Sequence, residues 1–418
     1  MRLKSVLSCL LCLWINNAAA ESYLIKNARL YTAAGTDSSA DVLLVDGRIK
    51  TIGNNINVDE KITTIAANGA VLTPALFNSY THLGVSEIDA IASTVDTYSQ
   101  NSQLTAALKI ADAFNPSSVM IPHNRSNGLH YALVVPESAA GLFAGQATLV
   151  KLASQAYVVD DSVAVVVQLG EQGQALAGGS RAAAMALLRQ ALDEAQHYAS
   201  NQAAANKGQR WQYSNSYADL AALQAVVKGR KPLLVKVSRA ADIQQVLVLA
   251  KQYQLNIILA GAQEGWKVAE AIAAAKVPVI MDPIENLPLA YETLAARLDN
   301  AQLLQQAGVT LLFTGMSWHN THNAYLVRQS AGNAVANGLT KASAMAAITA
   351  NPAAVFGLNK QGDIKEGYAA DLVLWNGDPL EVMSYPRMVF VDGKPVSQHS
   401  RQQQLRDRYY SRAQRAKP

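Results

Sequence analysis

Apolar and polar positions alternate in short stretches near both ends of the chain. Residues 23–32, 41–45 and 49–52 read as strands at the start, and 371–375 and 388–391 at the end. Asp46-Gly47 and Asp392-Gly393 stand where two-residue hairpin turns are needed. Strand-rich ends separated by a long mixed region imply one small sheet domain built from both termini. Between them, apolar runs recur at 70–77, 130–136, 148–152, 163–168, 233–237, 256–260, 277–281 and 309–314. Helical spacing fills 181–200, 240–252 and 265–275, and Asn351-Pro352 marks the boundary of a helical pattern begun at 341–348. Buried strands separated by helices predict a parallel sheet, and eight of them suit a (β/α)8 barrel. At the second and third runs a β-hairpin is an open alternative. The polar stretch 201–210 reads as a surface excursion.

Composition narrows the class. The 418 residues are 50% hydrophobic and 16% charged, which excludes global disorder. Past the first residues, no uninterrupted apolar run approaches the roughly 18 residues of a membrane span. Arg2 and Lys4, the apolar run from Val6 to Ile15 and Ala18-Ala19-Ala20 have the layout of a secretory leader over 1–20, cut before Glu21. The alternative, a membrane anchor, has too short an apolar run. Cys9 and Cys12 both fall in this leader, so the mature chain would hold no thiol. Disulfide scaffolds, cysteine nucleophiles and zinc–thiolate sites are excluded together. The expected location is the bacterial periplasm or the exterior. The tail 398–418 carries Arg401, Arg406, Arg408, Arg412, Arg415 and Lys417 against Asp407. The formal charge of +4 thus reflects leader and tail around a mildly acidic body, and nucleic acid is not an expected partner.

Motifs at both ends resemble one family. Asp46-Gly47-Arg48-Ile49 and Val71-Leu72-Thr73-Pro74-Ala75 stand near the start. Near the end come Ile348-Thr349-Ala350-Asn351-Pro352-Ala353, Gly362-Asp363-Ile364, Glu366-Gly367 and Ala370-Asp371-Leu372-Val373-Leu374-Trp375. Together they resemble the amidohydrolase superfamily, in its imidazolonepropionase- and dihydroorotase-like branch. The resemblance implies an α/β fold: a distorted (β/α)8 barrel over 74–359 and a composite β-sandwich from 21–73 and 360–397. It also implies hydrolysis of carbon–nitrogen bonds by metal-activated water, with zinc or another divalent ion as cofactor. The ligands it implies are a His-x-His pair after strand one, a Lys or Glu after strand four, one His each after strands five and six, and an Asp after strand eight.

Position by position, the match is sparse. His82 fits the second His of the pair, and Tyr80 stands in place of the first. Glu171 is the anion after strand four. Lys236 stands where strand five should end in His, and Gln263 and Glu264 follow strand six without one. Met316 stands near the strand-eight Asp position, and a thioether is a poor substitute for a carboxylate. His319 and His322 either replace lost ligands across the mouth from His82 or belong to a polar loop leading into a helix. Lys236 is expected to pair with Glu264 or Glu171, to reach solvent, or to act as a fixed cation at the former metal position; a carbamate bridging metals and a depressed-pKa amine are the chemical alternatives. Three functions follow: a hydrolase with a rewired site, a non-catalytic relative that binds a small amide- or peptide-like molecule, or a partner subunit of an active relative in a homo- or hetero-oligomer.

Overall fold

The computed structural model describes residues 21–32, 37–153, 155–285, 287–315, 321–398 and 400–415; the expected leader, Met316 and His319 lie outside the described residues. Eight strands form the main ring: β1 (Leu76–Thr81), β2 (Leu129–Val134), β3 (Phe143–Lys151), β4 (Tyr157–Gln168), β5 (Leu233–Val237), β6 (Ile257–Gly261), β7 (Val279–Met281) and β8 (Leu311–Phe313). They are hydrogen-bonded in chain order from β1 to β8. Neighbours pair in parallel from β1 to β2 and from β4 to β8, but β3 is antiparallel to both β2 and β4. The expectation of a wholly parallel sheet is thereby corrected in favour of the hairpin alternative. The connections 135–142 and 152–156 are too short for a parallel crossover, which takes about a dozen residues or more. Among the described residues no ladder joins β8 to β1. Side chains bridge that seam instead: the Thr314 hydroxyl donates to the Tyr80 carbonyl at 2.6 Å, and Asn78 Nδ2 donates to the Ala324 carbonyl at 2.8 Å.

Period-two alternation sorts the core. Val166, Leu234, Ile258, Ile280 and Leu312 are fully buried in the ring interior. Their neighbours Val165, Leu233, Val235, Leu259, Val279 and Phe313 pack outward with the helices. The long helix Arg181–Asn206 begins at Ser180, whose Oγ accepts the Ala183 amide at 3.4 Å, and it lies against Tyr217–Val227. It runs six residues into the stretch expected as a loop, because Ala203-Ala204-Ala205 are strong helix formers; the polar connection starts only at Lys207.

The run 70–77 also needs correction, for it is two strands in two sheets. Val71–Pro74 joins the sheet made from both termini, and the chain crosses to β1 at Ala75. That second sheet is mixed, in the order Lys394–Pro395, Pro386–Val391, Leu372–Trp375, Val71–Pro74, Tyr23–Tyr31, Asp37–Val45, Arg48–Gly53, with Thr63–Ala66 also on Tyr23–Tyr31. Both expected hairpin turns have positive φ at both central residues: 50° and 74° at Asp46-Gly47, 48° and 73° at Asp392-Gly393. The turns pack tip to tip, and a Cβ on Gly393 would lie 2.9 Å from Gly47 Cα.

A buried ionic network joins the two sheets. Because β3 is antiparallel, its last residue, Lys151, emerges at the face of the ring opposite the mouth. Its Nζ lies 3.0 Å from Asp371 Oδ2 and 2.6 Å from Asp392 Oδ1, and the Tyr131 hydroxyl donates to Asp371 Oδ2 at 2.8 Å. No described helix is long and apolar enough to cross a membrane.

Candidate functional site at the barrel mouth

The inward pattern of the ring continues one step beyond its last apolar layer. Two residues after Val166, Leu234, Ile280 and Leu312 come Gln168, Lys236, Asp282 and Thr314, and Ala260 follows Ile258 in the same way. All five line a cavity of about 490 Å³ at the C-terminal ends of the strands. Tyr80, His82, Glu137, Gln263, Glu285 and Glu292 line it as well. This is the end of the barrel where loops after the strands can assemble chemistry on a rigid frame.

Lys236 is directed into the ring. Its Nζ lies 5.3 Å from the centre of the Tyr80 ring. Burial, together with the charge of Glu137, pushes the Tyr80 pKa above its ordinary value despite Lys236. Burial opposes the charge on Lys236, but Tyr80 and Glu137 outweigh it and hold its pKa above the usual lysine value. At neutral pH Tyr80 is therefore a phenol, and Glu137 is the anion that favours the ammonium form of Lys236. His82 Nε2 lies 3.5 Å from Glu137 Oε1. Burial lowers the His82 pKa and Lys236 adds to that effect, with Glu137 opposing, so its imidazole is neutral near pH 7.

Gln168 is 6% exposed and sits in register beside Lys236 on the next strand. Its Nε2 donates to the Leu169 carbonyl at 2.7 Å, while its Oε1 has no hydrogen-bond partner. Gln263 Oε1 is likewise buried without a partner. A left-handed residue, Ala262 at φ 49°, turns the chain so that Gln263 meets the cavity. That conformation costs an alanine roughly 1–2 kcal/mol.

Other expected site residues lie elsewhere. Glu264 does not reach Lys236: its carboxylate accepts the Ala240 and Ala295 amides at 3.2 Å each and pairs with Lys267 at 3.3 Å. Glu171 does not reach it either, because its Oε1 accepts the Glu292 amide at 2.8 Å. His322 does not face His82; its Nε2 donates to the Glu87 carbonyl at 3.0 Å. Glu137, Asp282 and Glu285 were not singled out by motif matching. Asp282 was within reach of the alternation rule, being two residues past an inward isoleucine; Glu137 and Glu285 lie on loops with no such period. Among the described residues, no three His, Cys, Asp or Glu side chains converge as a metal-binding group.

One contact at the rim gives a direct stability test. Glu292 Oε2 accepts the Glu171 amide at 2.7 Å, returning the bond that Glu171 makes to Glu292, and lies 3.5 Å from Arg181. Gly170, at φ 70°, leaves room for this carboxylate, and a Cβ there would lie 2.4 Å from Glu292 Oε2. Gly170→Ala is expected to lower stability by about 2 kcal/mol, from left-handed strain plus displacement of Glu292. Thermal unfolding of the variant checks this, and an unchanged midpoint would contradict the contact.

Comparison with known proteins agrees with this architecture. The fold matches an amidohydrolase from Thermotoga maritima MSB8 with a TM-score of 0.80 and 24% identity, over 90% of this chain and all of that one. It also matches N-isopropylammelide isopropylaminohydrolase from Burkholderia multivorans, with a TM-score of 0.52 and 15% identity over 90% of this chain and 98% of that one. In sequence, the chain is 22% identical over 388 residues to the amidohydrolase tasK of Hapsidospora irregularis; this covers 84% of the chain but only 39% of that relative's length. Residues 267–396 match the amidohydrolase family. Over residues 267–396 the chain is thus similar to the amidohydrolase family, and its barrel with an accessory sheet is the fold of the amidohydrolase from Thermotoga maritima.

Proposed function

We propose that the barrel mouth takes up a small amide- or peptide-like molecule, and that the metal-assisted cleavage of carbon–nitrogen bonds associated with this superfamily does not operate there. The observation that carries this reading is the Lys236 ammonium on the Tyr80 phenol, at the position where a histidine ligand is expected. A cation there repels a divalent ion, and a neutral phenol is a poor ligand beside imidazole. His82 is the single residue that matches the implied ligand set, whereas a catalytic zinc takes three protein ligands. The donor set therefore does not suit the metal, and no chemical step is routed through one.

Elemental analysis of the purified mature protein, paired with turnover assays on dipeptides and cyclic amides with added zinc or manganese and with chelator, tests the proposal. The expected result is substoichiometric metal, a melting midpoint insensitive to chelator and no metal-dependent turnover. One tightly held metal per chain with chelator-sensitive hydrolysis would overturn it. A second reading has this unit working beside a catalytically complete relative; the chain spans about 39% of the length of tasK. Native mass measurement from the source cells would then show a second polypeptide. Export, with residues 1–20 as a cleaved leader, is part of the same proposal and is checked by the N-terminus of the mature protein.

A further inference from the structure

We infer that the barrel mouth selects small amides bearing a protonated amine, held with a carbonyl oxygen on Lys236, an amide N–H on Gln168 and the amine toward the acidic rim. The inference rests on the proposed function above and names the ligand class for the same cavity.

The charge layout is polar along the axis of the mouth. Lys236 and Asp282 stand in one inward layer at the strand ends, whereas Glu137 and Glu285 come from loops beyond β2 and β7. Glu292 also lines the cavity, but Arg181 offsets its charge at 3.5 Å. A cleft with a cation at its floor and carboxylates at its rim orients a dipolar guest, carbonyl inward and cation outward, and concentrates cations at its entrance.

The buried Gln168 oxygen points to a ligand independently of these charges. Its amide orientation is fixed by the Nε2 bond to Leu169, so the oxygen can only accept. Leaving such an acceptor unsatisfied costs about 1–3 kcal/mol, which a ligand N–H would recover. Lys236, as donor, and Gln168, as acceptor, are adjacent in register, a pairing that complements the C=O and N–H of one amide unit. The cavity of about 490 Å³ has room for a small dipeptide derivative.

Calorimetric titration of the full mature chain with alanyl-alanine amide, which has a free amine and no carboxylate, and with its N-acetyl derivative tests the inference. The free amine is expected to bind about tenfold or more tighter, with the difference shrinking at high salt. Glu285→Gln combined with Glu137→Gln is expected to remove most of that preference, and Gln168→Leu to weaken both ligands by about tenfold. Should Gln168→Leu fail to fold, the rim variant alone decides. Equal or tighter binding of the N-acetyl compound overturns the inference while leaving the proposed function standing. Absence of binding by either compound and by a panel of other small amides overturns both.

Discussion

Lys151→Met is expected to destabilise the protein by about 3–5 kcal/mol, the cost of stripping one partner from a buried ion pair. Lys151 and Asp371 both have side chains 4% exposed, so removing the ammonium leaves the Asp371 carboxylate at a dry seam with only the Tyr131 hydroxyl and the Asp392 amide as donors. With an unfolding entropy of about 2 cal/mol/K per residue, such a loss lowers the melting midpoint of a chain this long by roughly 5 °C. Lys151→Met with Asp371→Asn should recover part of the loss, because no uncompensated charge remains. A midpoint for the single variant within about 1 °C of the parent would mean that the network does not hold the two sheets together. The mouth lies at the opposite end of the ring, so ligand binding by folded Lys151→Met should be unaltered.

The same feature shows where the sequence was readable and where it was not. Apolar runs located all eight ring strands because each buries both faces over the stretch that was read, β4 only in its second half, and no solvent-facing period is needed to see such a strand. Direction is not written in an apolar run. β3 is as uniformly buried as its parallel neighbours, and only the short connections on either side reveal its reversal. The run 70–77 hid a sheet boundary for a related reason, since Val71–Pro74 and β1 are both buried and only Ala75 separates them.

At the mouth, motif matching found the residues that stand where a known pattern predicts a ligand, namely Tyr80, His82, Lys236 and Gln263. It misplaced Glu171 and Glu264, whose carboxylates satisfy backbone amides at local turns. A carboxylate next to a strand end reads the same in sequence whether it faces a cavity or caps a loop. Asp282 was accessible through alternation rather than motif. Partners that meet across large separations, such as Tyr80 with Lys236 or Lys151 with Asp371, have no local signature and emerge only once the ring is closed.

His130 ties the sheet seam to pH. It is fully buried, neither ring nitrogen has a hydrogen bond, and Nδ1 lies 4.0 Å from Asp371 Oδ1. Burial pushes its pKa down to about 4; Asp371 opposes this, while Lys151 and Arg125 reinforce it. The unfolded chain takes up a proton near pH 6.5, whereas the folded chain resists protonation until about pH 4. Stability from this group is therefore complete above pH 6.5, falls progressively as the pH drops, and is exhausted below about pH 4. At about pH 4.5 the loss relative to pH 7 amounts to about 2.5 kcal/mol. Denaturant unfolding of the parent and of His130→Leu at both pH values isolates this share, because the acid sensitivity due to His82 and His123, whose pKa values burial also lowers, is common to both proteins. The variant is expected to lose about 2.5 kcal/mol less than the parent over that interval. Equal losses would mean that His130 is already protonated in the fold, with Asp371 as its ion-pair partner. Lys151→Met should shrink the difference between parent and variant as well, since removing the ammonium makes protonation of His130 easier, and that dependence links the two predictions through one carboxylate.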